Sequence, residues 1–121
     1  MISTSVVNAQ VLNFRTTSFQ SKHNYGYGWT AWGNYQSSNM LLTIDLDNDI
    51  VTIYSPNIQR YSIISYEGTY TDSDGDQTAK YKFIDQDGDR GTMRLVMRKS
   101  GKSEVYIDFA DIIWVYSVVR I

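Results

Sequence analysis

The chain of 121 residues is predicted to be all-β, one antiparallel meander that closes as an up-and-down barrel or stacks as a two-sheet sandwich. Three observations carry that expectation. From Leu41 onward apolar and polar residues alternate with the period of two that suits a strand with one wet face. The alternating runs meet at turns built from Asp, Asn and Gly, residues that tolerate or stabilise turn backbone. No stretch carries the 3.6-residue apolar stripe of an amphipathic helix of useful length. Successive hairpins need no long crossover, which favours the barrel.

Before Leu41 the pattern is less regular: Val6 to Phe14 reads as one strand and Tyr25 to Trp32 as another, joined by polar linkers. Leu42, Ile44 and Leu46 then alternate with Thr43, Asp45 and Asp47, and Asp47-Asn48-Asp49 turns the chain. Ile50 to Ser55 returns, and Ser55-Pro56-Asn57 breaks it, because proline cannot donate to a sheet ladder. In the next strand, Gln59 to Tyr70, Tyr61, Ile63 and Ser65 share one face while Ile64, Tyr66 and Tyr70 share the other. Asp72 to Asp76 is a turn. Ala79, Tyr81 and Phe83 form the apolar face of the following strand, and Asp85 to Asp89 turns again. Met93, Leu95 and Met97 point inward, opposite Arg90, Thr92, Arg94, Val96 and Arg98, and Lys99 to Lys102 closes that hairpin. Val105, Ile107 and Phe109 alternate with Glu104, Tyr106 and Asp108, and Ala110-Asp111 leads into Ile112 to Val119. That last run is apolar at nearly every position, as in a central strand, a barrel-closing strand or a subunit interface. The total is eight or nine strands.

A chain of this size forms one domain, spanning residues 1–121, and buries roughly 65% of the surface that its unfolded form exposes. A hydrophobic content of 42% with one proline and eight glycines fits an ordered globular chain. The absence of cysteine excludes disulfides, thiolate metal sites and a cysteine nucleophile. Met1 to Gln10 has neither the basic start nor the apolar run of a secretory signal, and nothing approaches the ~18 apolar residues of a membrane span. A soluble, cytoplasmic protein without a membrane partner is therefore expected. The net charge of −2 is unevenly spread: residues 1–44 carry +2, residues 45–89 carry −7 and residues 90–121 carry +3. That distribution argues against nucleic-acid binding along the whole chain and leaves room for a local basic face.

The segments LLTIDLDNDIVTIYS (Leu41 to Ser55), FIDQDGDRGTMRL (Phe83 to Leu95) and YIDFADIIWVY (Tyr106 to Tyr116) resemble a group of uncharacterised small all-β proteins of gut Bacteroidales bacteria and their phages. The likeness covers about the last two-thirds of the chain and rests on structural motifs. It implies a small barrel-like or lipocalin-like domain and a phage or mobile-element origin, and it supplies no catalytic residues.

Three surface features are candidates for function. Asp-x-Asp-Gly-Asp occurs twice, which raises calcium, a cation that takes six to eight oxygens. The EF-hand spacing fails. With Asp74-Gly75 at loop positions five and six, positions one and twelve are Tyr70 and Tyr81; for Asp87-Gly88 they are Phe83 and Arg94. A meander sets alternate turns at the same end, so Asp47 to Asp49 and Asp72 to Asp76 are expected to be neighbours, offset by Lys99 and Lys102. Ordinary hairpin chemistry explains the same residues, and no metal centre or cofactor is expected.

The second feature is Tyr25-Gly26-Tyr27-Gly28-Trp29-Thr30-Ala31-Trp32-Gly33-Asn34-Tyr35. On an extended segment Tyr25, Tyr27 and Trp29 project from one face as a flat stacking surface, with Trp32 and Tyr35 beyond. Such a surface suits sugar rings, nucleobases or a protein. The structural alternative is a lid over the open end of the barrel. The third feature is a basic ribbon in which Arg90, Arg94 and Arg98 adjoin Lys80 and Lys82 across a hairpin, suited to phosphate or an acidic partner, or simply solvated.

Catalysis has the least support. His23 is the sole histidine and sits in a polar linker. Glu67 is a general-acid candidate if it shares the core parity of Tyr61, but it lacks a second group. The expected function is therefore non-catalytic recognition of a protein, glycan or nucleotide-like ligand by the Tyr25 to Tyr35 surface. The doubly apolar last strand suggests a homo-oligomer. The alternative is a lipocalin-like carrier with an apolar small molecule inside the barrel.

Overall fold

The alternation seen from Leu41 onward becomes a run of hairpins in the computed structural model, which describes residues 10–121. The strands are β1 (Val11–His23), β2 (Gln36–Ser37), β3 (Leu41–Asp45), β4 (Ile50–Ile53), β5 (Gln59–Thr71), β6 (Gln77–Asp85), β7 (Arg90–Met97), β8 (Ser103–Asp108) and β9 (Ile112–Arg120). β3 to β9 follow one another in order, and β1 pairs with both β3 and β9. Eight strands thus close an antiparallel up-and-down barrel, with the short β2 attached to β1 as a ninth. Among the described residues there is no helix, and so none long and apolar enough to cross a membrane.

Closure depends on β1. Its first residues pair with β3, from Val11 opposite Asp45 to Arg15 opposite Leu41, and its other edge runs along β9 as far as His23 opposite Ile112. A bulge between Thr16 and Ser18 shifts the register, so Phe14 and Phe19 both face inward although five residues apart. The strand read as Val6 to Phe14 therefore begins at Val11 and continues to His23, with residues 6–9 outside the described range. Tyr25 to Trp32 is not a strand. Gly26 and Gly28 adopt φ of 97° and 101°, values that L side chains avoid, and the chain turns sharply there.

The inner parity fills the middle of the barrel. Leu42, Ile44, Val51, Ile53, Phe83 and Ile107 have almost no exposed surface, each burial worth about 1.5–3 kcal/mol against exposure. On β9, Trp114 and Tyr116 face inward against Ile107 and Val105. Val115 faces outward yet is only 6% exposed. The inner face of β9 is thus used in closing the barrel, while on its outer face Val115 is covered and Val119 remains 40% exposed.

β5 departs from simple alternation. It pairs with β4 only from Gln59 to Ser62 and continues along β6 alone, with irregularities after Ile63 and after Tyr66. These bulges place Tyr66 opposite Tyr81 on the inner side and Tyr70 opposite Thr78 on the outer, so the expected common face of Ile64, Tyr66 and Tyr70 does not form. Glu67 does not enter the core. It accepts a hydrogen bond from Ser65 Oγ and pairs with Lys82 Nζ at 3.7 Å, outside the barrel.

Each acidic turn is held by its first carboxylate. Asp45 Oδ1 accepts the amides of Asp47 and Asn48, Asp72 Oδ1 those of Asp74 and Asp76, and Asp85 Oδ1 those of Asp87 and Asp89. These are Asx turns. The turns at 47–49 and 72–76 are not neighbours, because Ile63 bonds to Asp49 O and β5 then runs about 26 Å further at ~3.3 Å per residue. Among the described residues no group of three or more His, Asp or Glu could hold a metal ion. Asp76 meets Arg98 Nη1 at 3.1 Å and the Lys99 amide at 2.8 Å; the expected lysine ammonium groups are replaced by a guanidinium and a backbone N–H. The Lys99 amide, then the Arg98 guanidinium, hold the Asp76 carboxyl below its ordinary range. A carboxyl depressed in the folded state stabilises above its unfolded value, and that contribution is lost as pH falls through the folded one. The melting-temperature gap between the wild type and Asp76→Asn is therefore expected to narrow as the pH drops below about 4.

Candidate functional site

The aromatic stretch is built on the end of β1. Asn24 forms an isolated bridge with Trp29, the Thr30 amide donates to His23 O and the Gly33 amide to Ser21 O. Gln20 Nε2 adds a bond to Gly33 O at 2.8 Å. The segment is therefore a fastened hairpin with its tip at residues 25–28. The positive φ of its two glycines abolishes the flat three-ring face expected of an extended chain. Tyr25 turns back to stack on His23, ring centroids 5.4 Å apart and nearly parallel, which places His23 at a strand end and not in a linker. Tyr27 stands alone at the tip, 98% exposed.

Trp29 and Trp32 serve the wall. Lys22 Nζ lies 5.7 Å from the Trp29 ring and 4.7 Å from the Trp32 ring. Trp32 meets Tyr106 edge-on at 6.2 Å, and the Arg94 guanidinium lies 4.2 Å from the Tyr106 ring. This alternation of cations and rings, each contact worth about 0.5–1 kcal/mol when exposed, straps the segment across the outer face of β1, β9 and β8, over Val115. It is not a lid. Tyr35 follows beside β2, 71% exposed.

The basic ribbon has the expected outer parity, but its charges are largely engaged. Arg94 grips Asp108 with two bonds, Nε to Oδ2 at 2.6 Å and Nη2 to Oδ1 at 2.9 Å. Burial works against the Arg94 charge, and Asp108 more than offsets it, holding the guanidinium above its ordinary value. Arg98 binds Glu104 and Asp76, and Lys82 binds Glu67. Lys80 faces Arg94 across the hairpin, and Arg90 lies at the barrel mouth. Three of the five ribbon cations are ion-paired, and Lys80 and Arg90 are its exposed members without an ion pair among the described residues.

One feature was not expected from the sequence: a cavity of about 520 Å³ at the barrel end where the 85–89 and 109–111 turns meet the start of β5. Its lining is mostly polar, with Tyr61, Phe109 and Trp114 as its aromatic part and Phe83 packed behind them. Tyr61 lies 4.9 Å from Phe83, Phe83 5.4 Å from Phe109 and Phe109 5.4 Å from Trp114. Phe83 covers Gly91, where any Cβ would fall 2.5 Å from the ring. Tyr61 OH donates to Gln59 Oε1 at 2.6 Å; burial first, then Tyr116 and the Asp85 carboxylate, push this phenol well above its ordinary value. Trp114 Nε1 is buried without a hydrogen-bond partner among the described residues. Asp85, Asp87, Asp89 and Asp111 lie on the rim with Arg60 and Arg90.

Comparison with protein-family models, with curated proteins and with solved structures gave no significant match.

Proposed function

We propose that this is a non-catalytic recognition protein that engages a protein, glycan or nucleotide-like partner through the aromatic hairpin at the end of β1. The observation that carries this reading is the exposure of Tyr27 and Tyr25, at 98% and 69%, on a tip whose base is fastened by four bonds. Stiff rings on a hairpin whose base is already fastened lose little entropy when a partner covers them. A phage or mobile-element origin belongs to the same reading and rests on the sequence resemblance.

The test is binding to an array of immobilised glycans, nucleotides and candidate proteins, comparing wild type with the double variant Tyr25→Ala/Tyr27→Ala. Stability is expected to stay within about 0.5 kcal/mol, because both rings are at the surface, while binding falls at least tenfold. Glycan stacking would be indifferent to salt, and a phosphorylated ligand would be released by it. Retention of every array signal by the double variant would refute the reading.

A lipocalin-like carrier is the second reading, favoured by the cavity at the mouth. The middle of the barrel is occupied by Leu42, Phe83, Met93 and Ile107, so a ligand in this reading is small and sits at the end of the barrel.

A further inference from the structure

We propose that the barrel mouth is a binding site for a small organic cation with an aromatic or apolar body, of the arylalkylamine class. The site is separate from the hairpin, since no residue between 24 and 35 lines the cavity, and it refines the carrier reading by giving its ligand a class.

Size sets the first limit. A space of about 520 Å³ falls in the ~300–1,000 Å³ range of small-molecule sites, and the packed residues beneath it exclude a chain threaded along the axis. The wall sets the second. Tyr61, Phe109 and Trp114 line the space, joined through Phe83 into one run of rings, and ring faces attract both apolar bodies and cations. Trp114, one of the three lining rings, also carries an indole N–H with no partner among the described residues; being a donor it does not select for an ammonium group, and it serves as a reporter of occupancy.

Charge decides between ligand classes. Four carboxylates and two guanidiniums line the cavity, and none of the six takes part in an ion pair among the described residues. Their parities differ. Arg60 precedes the inward Tyr61, and Arg90 precedes the inward Gly91 and pairs with Ile84, so both have outer-wall parity and both are exposed. Asp85 pairs with the inward Tyr61, and while its Oδ1 holds the turn, its Oδ2 has no partner among the described residues. Asp85 thus has inner parity, both guanidiniums have outer parity, and the lining as a whole carries two more negative charges than positive. An anion would be repelled, and a neutral apolar ligand would desolvate carboxylates without pairing them.

The experiment uses three molecules of one shape: phenethylamine, 2-phenylethanol and phenylacetate, added to the full chain while indole N–H signals are followed by NMR, with Trp114→Phe identifying the Trp114 peak. Phenethylamine is expected to shift the Trp114 indole and the amides of residues 85–89 and 109–112, with at least tenfold tighter binding than 2-phenylethanol. That ratio corresponds to about 1.4 kcal/mol. Phenylacetate is expected to bind weakest. Asp87→Asn/Asp111→Asn should remove the preference for the amine and leave 2-phenylethanol unaffected, and added salt should act in the same direction. Tyr25→Ala/Tyr27→Ala should leave amine binding intact, so failure here and failure of the hairpin reading are separate results. Equal binding of all three molecules, shifts confined to Trp29 and Trp32, or no mouth shift at about 10 mM would each overturn the proposal.

Discussion

Phe83→Ala is expected to remove about 3–5 kcal/mol of stability, a large share of the ~5–15 kcal/mol available to a domain of this kind. Phe83 is the largest fully buried side chain among the described residues, 1% exposed, and its ring packs against Tyr61 and Phe109. Truncation loses the transfer energy of the ring, opens a void that the closed, hydrogen-bonded barrel wall can only partly fill, and breaks two aromatic contacts worth about 0.5–1.5 kcal/mol each. Urea unfolding should show a lower midpoint with an unchanged slope. A loss below about 1 kcal/mol would mean that the centre of the barrel is looser than its burial indicates.

Gly91→Ala is expected to destabilise by about 1–3 kcal/mol although it adds one methyl group. Gly91 does not have a positive φ, so backbone entropy alone would make alanine favourable by about 0.4–1 kcal/mol. The clash decides the sign: the new Cβ falls 2.5 Å from Phe83 Cζ and 2.6 Å from Asp108 O. The ring can be shortened and the carbonyl cannot. Phe83→Leu in the same chain should therefore relieve part of the Gly91→Ala penalty, with a coupling of roughly 1 kcal/mol in a double-mutant cycle. Strict additivity would show that the two positions do not touch.

The same region shows how far the sequence could be read. Alternation of apolar and polar residues revealed β3 to β9 almost to the residue, because most of these strands have one apolar face and three of the turns between them are capped by an Asp. β1 was obscured by its bulge: Phe14 and Phe19 stand five apart, a spacing that no regular strand can bury on one side. The aromatic segment was misread because Tyr25, Tyr27 and Trp29 have strand spacing while the intervening glycines take backbone angles that a strand cannot contain. The ribbon had the right parity, but Glu104 and Asp108 on the next strand share that parity, and pairing them with Arg98 and Arg94 was open to anyone following the meander. The mouth was legible in the same way. Tyr61 and Trp114 stand near the starts of their strands, Phe83 near the end of its strand and Phe109 just past the end of β8, so alternating strand direction brings all four to one end.

The overhang of β5 carries a last consequence. Closing a barrel leaves no raw backbone at the seams, yet beyond Ser62 this strand keeps one flank without a β4 partner, a template on which a foreign chain could polymerise. The two bulges, the left-handed Gly68 at φ 104° and the Glu67 charge interrupt that template at short intervals. What looks like irregular pairing thus acts as a guard against sheet-to-sheet aggregation, at the place where the molecule needs one.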